Sequence, residues 1–160
     1  MFNSTKQLKW GKLIPKLQNM TFILGARCSD RVVLVADRKI TNLDEGITFE
    51  YGDKLFAELS HIVFGSSGST GIFELFRAKI RNHIRTQTVN VENIIPILSN
   101  YVYKLNLQYK FRQELIFDVL VTIGYRNKKS ILTYINAYGL PSEVKTGQSI
   151  GTGRNMLKVS

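Results

Sequence analysis

Over residues 22–65 the apolar residues fall into strand-sized runs separated by polar breaks. Phe22, Leu24, Ala26 and Cys28 alternate with Ile23, Gly25 and Arg27, the pattern of a half-buried strand in which Cys28 is a small core residue. Ser29-Asp30-Arg31 makes a polar turn. Val32 to Ala36 is then apolar on both faces, as a strand covered on both sides would be. These pieces predict a hairpin. Residues 41–52 are polar, acidic and glycine-marked, and read as an exposed connection. A second hairpin is predicted from residues 54–59 and 62–65, turning at Ser60-His61. On its first strand Lys54, Phe56 and Glu58 fall on one face.

After Gly65 the period changes. GSSGSTG (residues 65–71) is a strand-to-helix corner, with Ser69 or Thr70 able to cap the helix and Glu74 in its first turns. Phe73, Phe76, Ile80 and Ile84 run along one side of that helix, and Arg77, Arg81 and Arg85 along another. The arginine stripe reads as a solvated or subunit-facing surface. Asn90 can cap a second helix, whose apolar side is Ile94, Leu98, Tyr101 or Val102, and Leu105. Pro96 falls near its beginning, where a missing amide donor costs least. After Phe111 the period returns to two, giving strands over residues 117–124 and 131–137 around a basic turn, and Leu140-Pro141 ends the pair. Gly151-Thr152-Gly153 leads into Asn155-Met156-Leu157, the start of a third helix. Strands, two helices and more strands specify an α+β fold: two antiparallel sheets packed together with helices outside. The helical cover expected on the second face is missing from this sequence.

A chain of 160 residues holds one domain with a sizeable core. No apolar run approaches the roughly eighteen residues of a membrane helix. The single cysteine excludes an internal disulfide framework and fits a reducing compartment, the cytoplasm. Net charge is +10, from 22 Lys and Arg against 12 Asp and Glu. Half of the acids lie between residues 37 and 58, whereas residues 1–20 carry four lysines and no acid. Gly11 and Pro15 interrupt any helix in that first segment, which also lacks the apolar core of a secretory signal. It is an appendage outside the fold: a propeptide, a docking arm, or translated sequence upstream of a start at Met20. The domain proper is then 21–160. His61 and His83 have no metal-ligand partners at useful spacing, and no phosphate loop is present, so no cofactor is expected.

A threonine hydroxyl is a poor nucleophile until a base removes its proton. If the threonine is the first residue, its own α-amine supplies that base, with a pKa near 8 in unperturbed chains. A lysine ammonium nearby lowers the pKa of both groups. A carboxylate keeps the lysine oriented, and backbone amides at a glycine stabilise the developing oxyanion. Thr21, Lys54, Asp37 and Gly65 would fill those roles.

Thr21 with Gly25, the VVLVADRKIT segment, the Asp-Lys-Leu-Phe strand and the Gly65-Ser-Ser-Gly corner together resemble the N-terminal half of a proteasome β-type subunit. FELFRAKI is similar to the bacterial ATP-dependent protease whose peptidase ring is a proteasome homologue. SIGTG resembles the family's small-residue turn that carries a catalytic-site serine. The resemblance covers residues 21–160. It implies an N-terminal-nucleophile hydrolase with an αββα sandwich, cutting peptide bonds of unfolded proteins inside a ring of like subunits, with any ATP use left to a partner unfoldase. Residue by residue it implies Thr21 as nucleophile, Asp37 as carboxylate, Lys54 as lysine, Gly65 as oxyanion glycine and Thr152 in place of the serine. It also implies Ile40, Gly52 and Val63 as lining of a pocket for apolar or small side chains. The chain departs from the pattern at Met20, where self-cleaving members carry Gly, at Arg154, where a small residue is common, and in a Thr-to-Lys spacing one residue longer than usual. A non-catalytic ring subunit that keeps its leader is the alternative. A basic nucleic-acid module using the leader and the Arg77–Arg85 stripe is a weaker one.

Overall fold

A computed structural model describes residues 22–42, 48–59, 61–68, 70–109, 117–125 and 129–151. Among them the chain forms β1 (Ile23–Arg27), β2 (Val32–Ala36), β3 (Lys39–Asn42), β4 (Thr48–Tyr51), β5 (Leu55–Leu59) and β6 (Ile62–Ser67). There follow α1 (Thr70–Thr86), α2 (Ile94–Gln108), β7 (Asp118–Ile123), β8 (Ile131–Ile135), β9 (Pro141–Glu143) and β10 (Gly147–Ile150). All pairings are antiparallel. They give a three-stranded sheet in the order β10-β1-β2, a five-stranded sheet in the order β5-β6-β7-β8-β9, and a two-stranded ribbon of β3 and β4.

The two larger sheets stack, because period two sends alternate side chains to opposite faces. On the five-stranded sheet Leu120, Leu132 and Tyr134 face Ile23 and Ile150 of the other sheet, forming the inter-sheet core. The approach is close at Gly25, where an added Cβ would lie 2.9 Å from Leu132 Cδ1. Val119, Val121, Ile123, Ile62 and Phe64 point the other way, onto the two helices. There α1 contributes Phe73, Phe76 and Ile80, and α2 contributes Ile94, Leu98, Val102 and Leu105, so both apolar stripes face inward as their spacing predicts. Phe76 meets Phe64 and Phe117 edge-on, with ring centroids 5.6 and 5.5 Å apart.

The arginine stripe of α1 is not simply solvated. Arg77 lies 3.4 Å above the Phe56 ring centroid and donates to Glu58, and Arg81 donates to the other oxygen of the same carboxylate. Two of its three arginines therefore fasten α1 to β5. At the end of α2, Asn106 is buried; its amide donates to Phe117 O and Ala137 O and accepts from Phe117 N. One side chain thus closes three backbone groups where β7 begins.

Four sequence expectations are corrected. Residues 41–52 are not a plain connection but hold most of the β3–β4 hairpin, Lys39 pairing with Tyr51. Cys28 is exposed, because β1 ends at Arg27 and Cys28 already belongs to the turn, its amide bonded to Arg31 O. Val33 and Val35 are 40 and 51% exposed on the outer face of the three-stranded sheet, while both described helices lie on the five-stranded one. The chain does not stop pairing at Leu140-Pro141: Pro141 opens β9, an edge strand where a missing N–H is tolerated, and β10 returns to pair with β1. The third helix expected near residue 155 lies outside the described residues.

Asn106→Ala leaves unsatisfied backbone groups at buried Phe117 and half-buried Ala137. The expected cost is about 2–3 kcal/mol, read as a lower urea midpoint with an unchanged slope.

Candidate active site

Antiparallel pairing of β1 with β2 places Ile23 opposite Ala36, which makes Phe22 and Asp37 the next cross-strand neighbours. Asp37 N donates to Phe22 O at 3.0 Å. In return Phe22 N donates not to a backbone carbonyl but to Asp37 Oδ1, at 2.7 Å. The carboxylate therefore folds back onto the amide that follows Thr21 in the chain. Its other oxygen, Oδ2, accepts from Lys54 Nζ at 2.8 Å. Lys54 comes from the entrance to the five-stranded sheet, so a single carboxylate joins the two sheets at one end.

The Lys54 side chain is 7% exposed and that of Asp37 29%. Desolvation of such a pair cancels most of its attraction, so an intact pair adds little net stability; removing one partner leaves a buried charge and costs about 3–5 kcal/mol. The arrangement therefore fixes position more than it adds stability. The sequence placed Lys54 on the face of Phe56 and Glu58. It instead lies one residue ahead of β5, outside the pleat, and turns to the inter-sheet side while Phe56 and Glu58 face α1.

Gly65 lies beside this pair. On β6 it pairs with Leu55 and Leu120, and a Cβ there would fall 2.6 Å from Leu55 Cδ2, 3.0 Å from Lys54 O and 3.2 Å from Ile23 Cδ1. Within the corner expected over residues 65–71, the turn itself falls at Gly68, whose φ of 121° lets β6 turn into α1. Of the pocket residues, Val63 shares the inter-sheet face with Gly65 and is half-buried. Gly52 N donates to Arg38 O at 2.9 Å, closing the base of the β3–β4 ribbon. Ile40 stands on β3 opposite Glu50. Thr21 and Thr152 lie outside the described residues, although Ile150, opposite Ile23, ends β10 at this same end of the stack.

One group at this end escaped the sequence reading. Ser67 donates its hydroxyl to Asp118 Oδ1, and Tyr134 donates to Asp118 Oδ2 at 3.0 Å. Alternation carried the signal, because Ser67 follows Gly65 by one full period and shares its face. Among the described residues no group of His, Cys, Asp and Glu could hold a metal ion.

Three substitutions test the geometry. Asp37→Ala is expected to destabilise the fold by about 3–5 kcal/mol, and the solvent-facing Asp30→Ala to leave the denaturation midpoint almost where it is, both read from chemical denaturation. Gly65→Ala forces Leu55 and the Lys54 backbone apart. The expected cost is about 1–3 kcal/mol, together with shifted backbone resonances for residues 54 and 55.

A family model described as proteasome subunit matches residues 18–159. No curated protein sequence matches the chain. Among solved structures, Anbu (ancestral beta-subunit) from Yersinia bercovieri is similar with a TM-score of 0.68 at 15% identity, covering 82% of this chain and 61% of that one. The Anbu (Gly-1) mutant from Hyphomicrobium sp. strain MC1 is similar with a TM-score of 0.66 at 16% identity, covering 82% and 60% respectively. The chain thus spans about three-fifths of the length of these structures, and at such identities the likeness is one of fold. A five-stranded and a three-stranded antiparallel sheet stacked together, with two helices on the larger sheet, agree with the family match. The chain belongs to the proteasome subunit family.

Proposed function

We propose that this subunit is a threonine-type endopeptidase that cuts unfolded polypeptides within a ring of like subunits, with Thr21 as its N-terminal nucleophile. The observation that carries the proposal is the Asp37 carboxylate, shared between the Phe22 amide and the Lys54 ammonium. The Phe22 amide and a buried cation thus share one carboxylate at the start of β1. Residues 1–20 are then an appendage that has to be removed, and 21–160 the hydrolase domain.

The chemistry follows from the parts. The Thr21 hydroxyl adds to the scissile carbonyl carbon as its proton passes to the Thr21 α-amine. Lys54 favours the ionised hydroxyl and the free amine by its charge. The oxyanion forms beside the Gly65 backbone, and Thr152 adds a hydroxyl hydrogen bond near the amine. The carbon–nitrogen bond then breaks, the leaving amine taking the proton from the α-ammonium. The remaining ester is hydrolysed by water, which returns the hydroxyl. Asp37 keeps Lys54 and the start of β1 in place throughout. Partners in this reading are other subunits of the ring and an ATPase unfoldase. No helix among the described residues is long and apolar enough to cross a membrane, and the proposed location is the cytoplasm.

Met20 favours a second reading, since a residue other than glycine precedes Thr21: a structural ring subunit that keeps its leader. The nucleic-acid reading loses support, because Arg77 and Arg81 are bound to Glu58. Peptide hydrolysis by the assembled full chain separates the first two. Thr21→Ala is expected to lower turnover by about a thousandfold or more, and Thr21→Ser to retain a measurable part of it. Turnover unchanged by Thr21→Ala establishes the structural subunit instead.

A further inference from the structure

Asp118 is a half-buried carboxylate that the proposed chemistry does not use. Asp30, Asp37, Asp53, Glu58, Glu74 and Glu143 each sit in an ion pair with Lys or Arg, and Glu92 is exposed to solvent. Asp118 is half-buried, and among the described residues no cation pairs with it, although the chain carries a net charge of +10. Its two oxygens accept from two neutral hydroxyls, those of Ser67 and Tyr134. These donors orient the carboxylate without cancelling its charge, and they leave further lone pairs on both oxygens.

Its place in the fold matters as much as its charge. Ser67 pairs directly with Asp118, and Gly65 with Leu120, so both pairs lie on the inter-sheet face. Ser67 stands about 7 Å beyond Gly65 along β6, two residues of strand rise. There it extends past Leu55, the first residue of β5 and the partner of Gly65. That is the end at which Lys54 and Asp37 meet.

We propose that Asp118, held by Ser67 and Tyr134, forms an anionic subsite beside the candidate active site and takes a lysine or arginine side chain of the bound polypeptide. The inference rests on the peptide-cleaving reading of that site. Where Ile40, Gly52 and Val63 alone imply apolar or small side chains, Asp118 adds a basic one. A two-oxygen carboxylate matches the fork of a guanidinium, and in a half-buried setting such a charge-assisted contact favours the charged ligand by about ten- to a hundredfold. If the three residues were only a clasp between β6, β7 and β8, their loss would lower stability without altering which peptides bind.

The test compares equilibrium binding of acetyl-Ala-Ala-Arg-amide and acetyl-Ala-Ala-Leu-amide to the assembled full chain. The arginine peptide is expected to bind at least about tenfold tighter, and Asp118→Asn to bring the two within about twofold while leaving the leucine peptide unchanged. Asn keeps an acceptor for one hydroxyl. Should that variant not fold, the wild-type comparison still decides, because the arginine preference must narrow as salt is raised. Equal binding of the two peptides by the wild-type chain, or a preference that Asp118→Asn leaves intact, overturns the subsite. Binding is read apart from cleavage. An arginine preference without hydrolysis at Thr21 keeps the subsite and removes the protease reading, whereas hydrolysis without any charge preference does the reverse.

Discussion

The Asp37 carboxylate is the point on which the candidate site depends. It follows β2, binds the amide just ahead of β1, and holds a lysine arriving from the other sheet. Each of these contacts is ordinary alone. Together they make the distance between two sheets and the start of the first strand into one quantity, because a lysine that is 7% exposed has to keep its counter-ion. The energetics favour this view: the pair contributes little net stability when intact and is costly to break. Such a pair resists rearrangement without requiring a large stabilising term, which suits a site that must be held in one geometry.

The sheets can meet there because the backbone leaves room. At Gly25 and Gly65 a β-carbon would intrude on Leu132 and on Ile23 of the facing sheet, so both positions trade side-chain volume for close approach of the layers. On the other face of the five-stranded sheet the fold is built for stiffness instead. Phe64, Phe73, Phe76 and Phe117 pack ring against ring, and Arg77 is held between Phe56 and Glu58. Strand β6 belongs to both environments. Ile62 and Phe64 anchor it to the helices, and Gly65 and Ser67 face the site, so residues near the candidate chemistry are carried by a strand that cannot easily move.

Much of this was legible in the sequence, for a physical reason. Hydrophobic period reports burial, and burial fixes strands, helices and their inward faces; Phe73, Phe76, Ile80, Leu98 and Leu105 lie where their spacing puts them. The period fails where the chain leaves a regular element. Lys54 stands one residue outside β5, so the alternation that placed it with Phe56 no longer governed it. Cys28 sits one residue past β1, so the alternation that would bury it no longer applies. The β3–β4 ribbon was masked by the acids and glycines around it, although Ile47, Phe49 and Tyr51 alternate with Thr48 and Glu50. Asp118 was invisible for another reason: a lone acid at a strand start resembles a solvated one until the sheet register brings Ser67 and Tyr134 to it.

The central claim is that Thr21 becomes a free N-terminus and reacts. The direct measurement is peptide-mapping mass spectrometry of the assembled protein after exposure to an electrophile that bonds both to a hydroxyl and to the adjacent α-amine. The expected result is a mature chain beginning at Thr21, with the adduct on that residue and no adduct in the Thr21→Ala variant. A chain that retains residues preceding Thr21 and carries no adduct there contradicts a catalytic subunit.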